Sequence, residues 1–201
     1  MKRKVLHVGA GHPGSGAALP AGFYTAEWDE VRLDIDPANE PHIVGSMMEM
    51  PAVATGSMDA IYSSHNIEHV YPHEVPVVLK EFHRVLKPEG FLVVTCPDLQ
   101  TVARLVADDK LTEAAYQSPA GPITPLDIIY GFRPALAQRN HFMAHKCGFT
   151  LKVLLATLRD NGFARVAGKR RADAFDLWSV ATKKALDDAE LRQLAAHYLP
   201  A

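Results

Sequence analysis

The stretch that decides the fold is VLHVGAGHPG, residues 5–14. Val5–Val8 is a short apolar run that ends at a glycine, which is typical of a strand buried in a parallel sheet. Gly9, Gly11 and Gly14 follow with the G-x-G-x-x-G spacing, in which glycines let the backbone turn sharply and approach a ligand closely. The pattern predicts either a nucleotide- or nucleoside-binding loop at the carboxyl edge of a sheet, or a plain turn where a strand ends.

An acidic pair at the end of a second apolar run favours the binding loop. Val31–Ile35 is short and rich in Val, Leu and Ile, and Asp34 and Asp36 follow Gly14 by 20 and 22 residues. A carboxylate at this place can accept hydrogen bonds from both hydroxyls of an adenosine ribose. We therefore predict that Asp34, or failing it Asp36, binds the ribose of a nucleoside ligand.

The rest of the chain alternates strands with helices. The predicted strands occupy residues 5–8, 31–35, 42–44, 59–63, 91–95, 163–168 and 175–182. Helices are predicted over 72–86 and 151–161, where apolar residues recur every three or four positions. The link between the last two strands is too short for a crossover helix, so these strands should pair antiparallel. The sequence thus predicts an α/β fold, a doubly wound, mostly parallel seven-stranded sheet of the Rossmann-like kind.

Residues 98–149 interrupt this alternation, because they are rich in Pro, Gly and His and show only short helical pieces and no strand pattern. The length predicts one domain over residues 1–201, with 98–149 as a helical lid insertion on the acceptor side. Within the insertion, a neutral imidazole of His141 or His145 could take a proton from a substrate as a general base. The alternative is a purely structural role, in which both histidines are solvated or packed in the lid.

Composition excludes several classes of function. The chain has 201 residues, with 21 Lys+Arg against 23 Asp+Glu and a net charge of −2. This near neutrality lacks the basic footprint expected of a protein that binds nucleic acid or acidic membranes. Cys96 and Cys147 are the two cysteines of the sequence, which predicts reduced thiols and a cytoplasmic location. The sequence has no uninterrupted apolar run of about 18 residues, so no membrane span is expected.

The residues after Gly14 decide between two classes of ligand. A dinucleotide places its pyrophosphate at the N-terminus of a long helix, and SGAALPAG at residues 15–22 is too short and interrupted to form one. S-adenosylmethionine carries no phosphate and does not need that helix. The loop therefore favours the sulfonium cofactor, and an NAD-dependent oxidoreductase remains an alternative that depends on the glycine spacing alone.

Five segments, in order, resemble the motifs of class I S-adenosylmethionine-dependent methyltransferases of the small-molecule branch. The first three are VLHVGAG at 5–11, VRLDIDP at 31–37 and SMDAIYSSH at 57–65. The others are Glu68-His69 and EFHRVLKPEG at 81–90. This resemblance implies a Rossmann-like fold, S-adenosylmethionine as cofactor and methyl transfer as the activity.

The resemblance also assigns residues to the site. It implies that the methionine part of the cofactor lies against Gly9 and Gly11, and that Ser63, Ser64 and His65 line the site near the transferable methyl group.

Two departures from the family pattern affect the cofactor site. The family usually has an acid at the position of His7, which helps to hold the cofactor's amino group, and a carboxylate at the position of Ser46, which would bind the adenine amine. We expect His7, Ser46 and the adjacent Met47 to contact the cofactor instead. The departures also leave an alternative open, a non-catalytic S-adenosylmethionine-binding or interaction module.

Residues 65–69 spell H-x-x-E-H, the string of the inverted zinc-protease motif. That motif needs a continuous helix that places both histidines one turn apart. Here the string directly follows a predicted strand, so we expect a loop and no metal.

Methyl transfer from a sulfonium is an in-line displacement to which a protein contributes mainly proximity, alignment and exclusion of water. Few side chains are obligatory, so the sequence indicates the cofactor better than the acceptor. We expect methyl transfer to oxygen or nitrogen of a small or medium-sized acceptor, with His141, His145 and His65 as the candidate catalytic residues.

Overall fold

The computed structural model describes residues 2–14 and 18–200. In chain order, the strands are β1 (Arg3–Val8), β2 (Trp28–Asp34), β3 (Ile43–Val44), β4 (Met58–Ser64), β5 (Leu86–Pro97), β6 (Tyr116–Ser118), β7 (Gly121–Ile123), β8 (Arg165–Arg171) and β9 (Asp176–Thr182). The helices are α1 (Val75–Val85), α2 (Leu99–Ala107), α3 (Pro125–Tyr130), α4 (Arg133–Ala137), α5 (Leu151–Asp160) and α6 (Asp188–Tyr198).

Within these described residues, seven strands form one sheet in the order β3-β2-β1-β4-β5-β9-β8. Strands β1 to β5 pair in parallel, whereas β9 runs antiparallel to both β5 and β8. The predicted α/β fold with a mostly parallel seven-stranded sheet is confirmed.

The register of the sheet brings the ends of its central strands to one edge. Val8 of β1 lies opposite Leu33 of β2 and Ser63 of β4, and Ser64 lies opposite Thr95 of β5. The residues that follow these strands therefore share the carboxyl edge, where open α/β sheets bind their ligands.

Helices α1 and α5 cover one face of the sheet. Their apolar stripes, which include Val78, Leu79 and Phe82 of α1 and Leu154 and Leu158 of α5, are fully buried against the sheet. Burial of each such side chain stabilises the fold by about 1.5–3 kcal/mol.

An aromatic cluster and helix α6 cover the opposite face. Phe23, Trp28, Phe91 and Tyr198 pack together, with the Phe23 and Tyr198 ring centroids 4.6 Å apart. Helix α6 is not among the predicted helices, although an Asp187–Glu190 capping box begins it. No long helix follows Gly14 in the described part of this segment; Ala21–Phe23 form one 3₁₀ turn there, and residues 15–17 of the segment lie outside the described residues.

The insertion at 98–149 contains α2, α3 and α4, and also the hairpin of β6 and β7. The expectation of an insertion without strands was wrong. The Ser118 hydroxyl accepts a hydrogen bond from the amide of Ala120 and donates one to the Gly121 carbonyl, and Gly121 has φ +109°. This tight turn makes such short strands possible.

In the portion of the chain that the structure describes, no helix is long and apolar enough to cross a membrane.

Candidate functional site

The glycine loop after β1 has a backbone that favours glycine. Gly9 and Gly11 both have φ +62°, in the left-handed region that costs a side chain roughly 1–2 kcal/mol. Arg32 of β2 supports the loop, because its guanidinium donates to the carbonyl of Gly11. A Cβ atom at Gly9 would lie 1.9 Å from Asn66 Oδ1, so the Asn66 side chain sits directly over this glycine.

Asp34 connects the loop to the end of β2. Its carboxylate accepts hydrogen bonds from the amides of Gly11 at 2.8 Å and Asp36 at 2.9 Å, and the residue is 5% exposed. Asp36 instead begins a 3₁₀ turn, where its side chain accepts from the Ala38 amide. Each Asp34 oxygen has a second lone pair available, so Asp34 can hold the loop and still accept from a ligand hydroxyl.

A cavity of about 370 Å³ opens along this edge of the sheet. It brings together most of the residues that the sequence assigns to the cofactor: Gly9, Gly11, Asp34, Asp36, Ser46, Met47 and Ser64, with His65 from the catalytic set.

Three large apolar side chains around the cavity are unusually exposed. Ile35 is 46%, Met48 36% and Phe142 54% exposed, and all three line the cavity. Apolar side chains left open around a polar loop provide surfaces on which a flat base could pack, as is common in cofactor pockets.

His7 and Ser63 are placed differently from the other predicted cofactor residues. Neither belongs to the described lining of this cavity. The His7 side chain is 1% exposed, and its Nδ1 atom lies 2.7 Å from Glu30 Oε1. Burial lowers the pKa of His7, so the ring is neutral near pH 7 and its Nδ1–H donates to Glu30. Ser63 is completely buried, because successive residues of a strand point to opposite faces and Ser64 faces the cavity.

A second cavity, of about 220 Å³, adjoins the first. The two cavities share three residues, His65, His69 and Met143. The other walls of the second cavity come mainly from the insertion and from the segment before β9: Tyr116, Ala120, Ile123, Asp127, Ile128, Phe132, His145, Ala174 and Phe175. Its surface is therefore largely aromatic and aliphatic, with imidazoles at the boundary to the first cavity.

The three histidines predicted as catalytic occupy different environments. His65 has φ +51° and lies in both linings, whereas His145 lies in the second lining only. His141 is exposed, and the described linings of both cavities do not include it. Burial lowers the pKa of His145, whose Nδ1–H donates to the Ile128 carbonyl at 2.8 Å.

Backbone hydrogen bonds join the insertion to the loop after β4. The amides of Lys146 and Cys147 donate to the Glu68 carbonyl at 2.7 and 3.2 Å, and His69 Nδ1–H donates to the Ala144 carbonyl at 3.0 Å. These bonds hold the wall of the second cavity against the cofactor edge of the sheet.

The Glu68 side chain is buried at the junction of these segments. Burial favours the neutral acid, but the nearby imidazoles of His65, His69 and His145 outweigh it and lower the pKa of Glu68. The nearest imidazole nitrogen, His65 Nδ1, is 3.4 Å from Oε1. The neighbouring Glu68 carboxylate raises the pKa of His65.

Sequence reasoning missed several lining residues. Asn66 and Met143 were not assigned a role, and neither were Asn140, Phe142 and Lys146 of the insertion. Asn66 and His69 lie within the H-x-x-E-H string, which offered a local signal. The lid assignment predicts that this part of the insertion approaches the site, with His141 and His145 as candidates, but it does not single out the residues that line the first cavity.

A mostly parallel sheet of this order, with a glycine loop after β1 and a carboxylate at the end of β2, belongs to a fold shared with solved S-adenosylmethionine-dependent methyltransferases. Residues 6–94 match the family model described as a methyltransferase domain. A methyltransferase domain therefore occupies residues 6–94, and S-adenosylmethionine is the cofactor that such a domain implies.

Solved structures with this fold include three that cover most of the chain. The CMeT domain of citrinin polyketide synthase has a TM-score of 0.59 at 13% identity, covering 92% of this chain and 47% of that one. A methyltransferase from Thermotoga maritima has a TM-score of 0.55 at 16% identity, covering 92% and 83%. Burkholderia thailandensis 1,6-didemethyltoxoflavin-N1-methyltransferase, solved with its namesake compound and S-adenosylhomocysteine, has a TM-score of 0.56 at 16% identity, covering 90% and 70%.

These identities are low, so the likenesses establish the fold alone. The chain spans less than half the length of the polyketide synthase structure. No curated protein sequence matches the chain.

Proposed function

We propose that the chain transfers the methyl group of S-adenosylmethionine to oxygen or nitrogen of a small acceptor that binds in the second cavity. The observation that carries this proposal is the shared wall of the two cavities, formed by His65, His69 and Met143. A methyl group leaving the first cavity reaches an acceptor in the second at this wall and nowhere else along the described linings.

The chemistry of the first cavity supports one orientation of the cofactor. The ribose hydroxyls donate to Asp34, the adenine packs against Ile35 and Met48, and the methionine part lies along Gly9 and Gly11. This placement directs the sulfonium towards Ser64 and the shared wall.

The size and polarity of the second cavity support a small, partly apolar acceptor. Its volume of about 220 Å³ is below the range of about 300–1,000 Å³ typical of drug-sized ligands. Residues 98–149 supply most of its walls, consistent with their assignment as the acceptor-side insertion of a single domain over residues 1–201. His65, half exposed between the cavities, is placed to take the proton that the acceptor loses.

A panel of small alcohols, phenols and amines, incubated with the protein and S-adenosylmethionine, tests this function. Mass spectrometry should detect S-adenosylhomocysteine together with a methylated product. Ala174→Trp fills the second cavity and should abolish product formation while leaving the affinity for S-adenosylhomocysteine unchanged. Ala172→Trp is the matched control, because Ala172 is also exposed but lies outside the described lining.

Two results would contradict the proposal. Undiminished methylation in Ala174→Trp would place the acceptor elsewhere. Methylation of a protein or an RNA, with no small acceptor modified, would refute the proposed substrate class.

A further inference from the structure

A buried carboxylate without a hydrogen-bond partner lies beside the shared wall of the two cavities. Glu68 is 0% exposed, and neither of its side-chain oxygens has a hydrogen-bond partner among the described residues. His65 Nδ1 approaches to 3.4 Å but does not form a hydrogen bond. A buried carboxylate that forms no hydrogen bond is unfavourable even with one imidazole in ion-pair range, so such groups usually also meet a cation.

The two imidazoles next to Glu68 each have one nitrogen in a hydrogen bond to a backbone carbonyl. The Nδ1–H groups of His69 and His145 donate to the carbonyls of Ala144 and Ile128, at 3.0 and 2.8 Å. With Nδ1 as the donor, the uncharged form of each ring has its lone pair on Nε2. A backbone carbonyl on the other nitrogen is also the usual support of a metal-binding histidine.

The three side chains converge. One ligand atom from each of Glu68, His69 and His145 lies within 4.8 Å of those of the other two, and the two imidazole centroids are 4.9 Å apart. Metal–ligand bonds are about 2.0–2.2 Å long, so two ligand atoms of one ion lie at most about 4.4 Å apart. A spacing within 4.8 Å is therefore close to that of a bound ion.

We propose that Glu68, His69 and His145 bind a divalent transition-metal ion at the boundary of the two cavities. Two imidazoles and one carboxylate suit ions such as Zn²⁺, Co²⁺ or Mn²⁺ better than Mg²⁺ or Ca²⁺, which favour all-oxygen sites. For the H-x-x-E-H string we expected a loop and no metal, and the proposed site differs from that expectation. His65 and His69 do not lie on one continuous α-helix here, and the third ligand comes from the insertion.

The position of the ion gives it a role, and this step rests on the proposed function. Three protein ligands leave coordination positions open, and His69 and His145 both line the second cavity. An acceptor hydroxyl bound to the ion would lose its proton more readily, because a divalent cation stabilises the oxyanion. The new O–CH₃ bond then forms as the S–CH₃ bond breaks, with the electron pair remaining on sulfur and the proton passing through His65 to solvent. The ion thus selects an acceptor that binds through oxygen.

The test is metal binding by the full chain after dialysis against a chelator. Co²⁺ is titrated by its visible absorption and Zn²⁺ by calorimetry, each in the wild type and in Glu68→Gln, His145→Ala and His73→Ala. His73 is exposed and outside both described linings, so it is the matched histidine control. We expect about one equivalent bound by the wild type and by His73→Ala, and at least tenfold weaker binding by the other two variants.

Several outcomes would overturn the proposal. They are no stoichiometric binding by the folded wild type, equal binding by Glu68→Gln, or methylation at an undiminished rate in the metal-free protein. S-adenosylhomocysteine affinity, measured on the same metal-free sample, separates this proposal from the proposed function. Intact affinity without metal binding overturns the metal site alone, whereas loss of cofactor affinity in the wild type contradicts the function.

Discussion

Substitution of Gly9 by alanine should destabilise the fold and distort the cofactor cavity. At φ +62° the new side chain costs roughly 1–2 kcal/mol of backbone energy. Its Cβ would also lie 1.9 Å from Asn66 Oδ1, so the Asn66 side chain must move. That movement breaks the hydrogen bonds that Asn66 Nδ2 donates to the carbonyls of Val8 at 2.8 Å and Ser64 at 2.9 Å. Two such bonds contribute about 1–3 kcal/mol.

Gly56 provides a matched control for this experiment. It has φ +63°, but a Cβ atom there would meet nothing within 4 Å. Gly56→Ala therefore carries the backbone cost alone. Gly9→Ala should be less stable than Gly56→Ala by about 1–3 kcal/mol, and each kcal/mol lowers the melting temperature of a domain of this size by about 2–4 °C.

Calorimetry gives the unfolding temperatures, and titration with S-adenosylhomocysteine gives the affinities. Because Gly9 and Asn66 both line the first cavity, we expect Gly9→Ala to lose at least tenfold in affinity and Gly56→Ala to keep the wild-type value. If the two variants were equally stable and bound the ligand equally well, the glycine loop would be only a turn at the end of a strand, and our reasoning would fail.

Three further predictions concern the cofactor carboxylate, the buried histidine and the C-terminal helix. Asp34→Ala should weaken S-adenosylhomocysteine binding by about 1.5–3 kcal/mol, because ribose hydroxyls lose a charged acceptor, and Asp36→Ala should weaken it less; titration of both folded variants measures this. His7 is neutral in the native state because burial lowers its pKa below the unfolded value of 6.5, so only the unfolded chain gains this proton as the pH falls below about 6.5. Stability should then decrease towards acid, with a shallower slope in His7→Gln when urea unfolding is followed between pH 5 and 6.5. Tyr198→Ala should cost about 3–5 kcal/mol, since its ring is 5% exposed and lies 4.6 Å from that of Phe91.

Each of these predictions has a result that contradicts it. An unchanged affinity in Asp34→Ala would transfer the ribose to Asp36 or discard the assignment. Parallel stability curves for wild type and His7→Gln would show that His7 does not titrate differently on unfolding. A loss below about 1 kcal/mol in Tyr198→Ala would mean that α6 contributes little to the aromatic core.

The sheet could be predicted from the sequence because its strands are short apolar runs bounded by glycine, aspartate and proline. The alternation of these runs with helical patterns implied parallel pairing, and the short link between β8 and β9 implied their antiparallel pairing. Helix α6 was missed because its apolar positions are few and its polar positions many. Its stability comes from contacts with Phe23 and Phe91, which are distant in the sequence.

The parts of the candidate site that lie at or directly after the end of a strand could be predicted from the sequence. Gly9, Gly11 and Asp34 follow from the strand–loop spacing. A resemblance between linear motifs does not distinguish neighbours on a strand, so Ser63 and Ser64 were assigned together although they point to opposite faces. Glu68 and His145 meet only through the docking of the insertion, which no local pattern of the sequence encodes.

The way in which the insertion docks keeps acceptor binding separate from cofactor binding. The contacts that hold it to the loop after β4 use backbone carbonyls and amides of Glu68, Ala144 and Lys146, so they depend little on which side chains the insertion carries. The side chain of Phe132 in the insertion, like that of Phe175 in the segment before β9, is then free to shape the second cavity. Changes at these two positions should alter the acceptor without altering cofactor affinity, because the cofactor cavity ends at His65, His69 and Met143, on the near side of both.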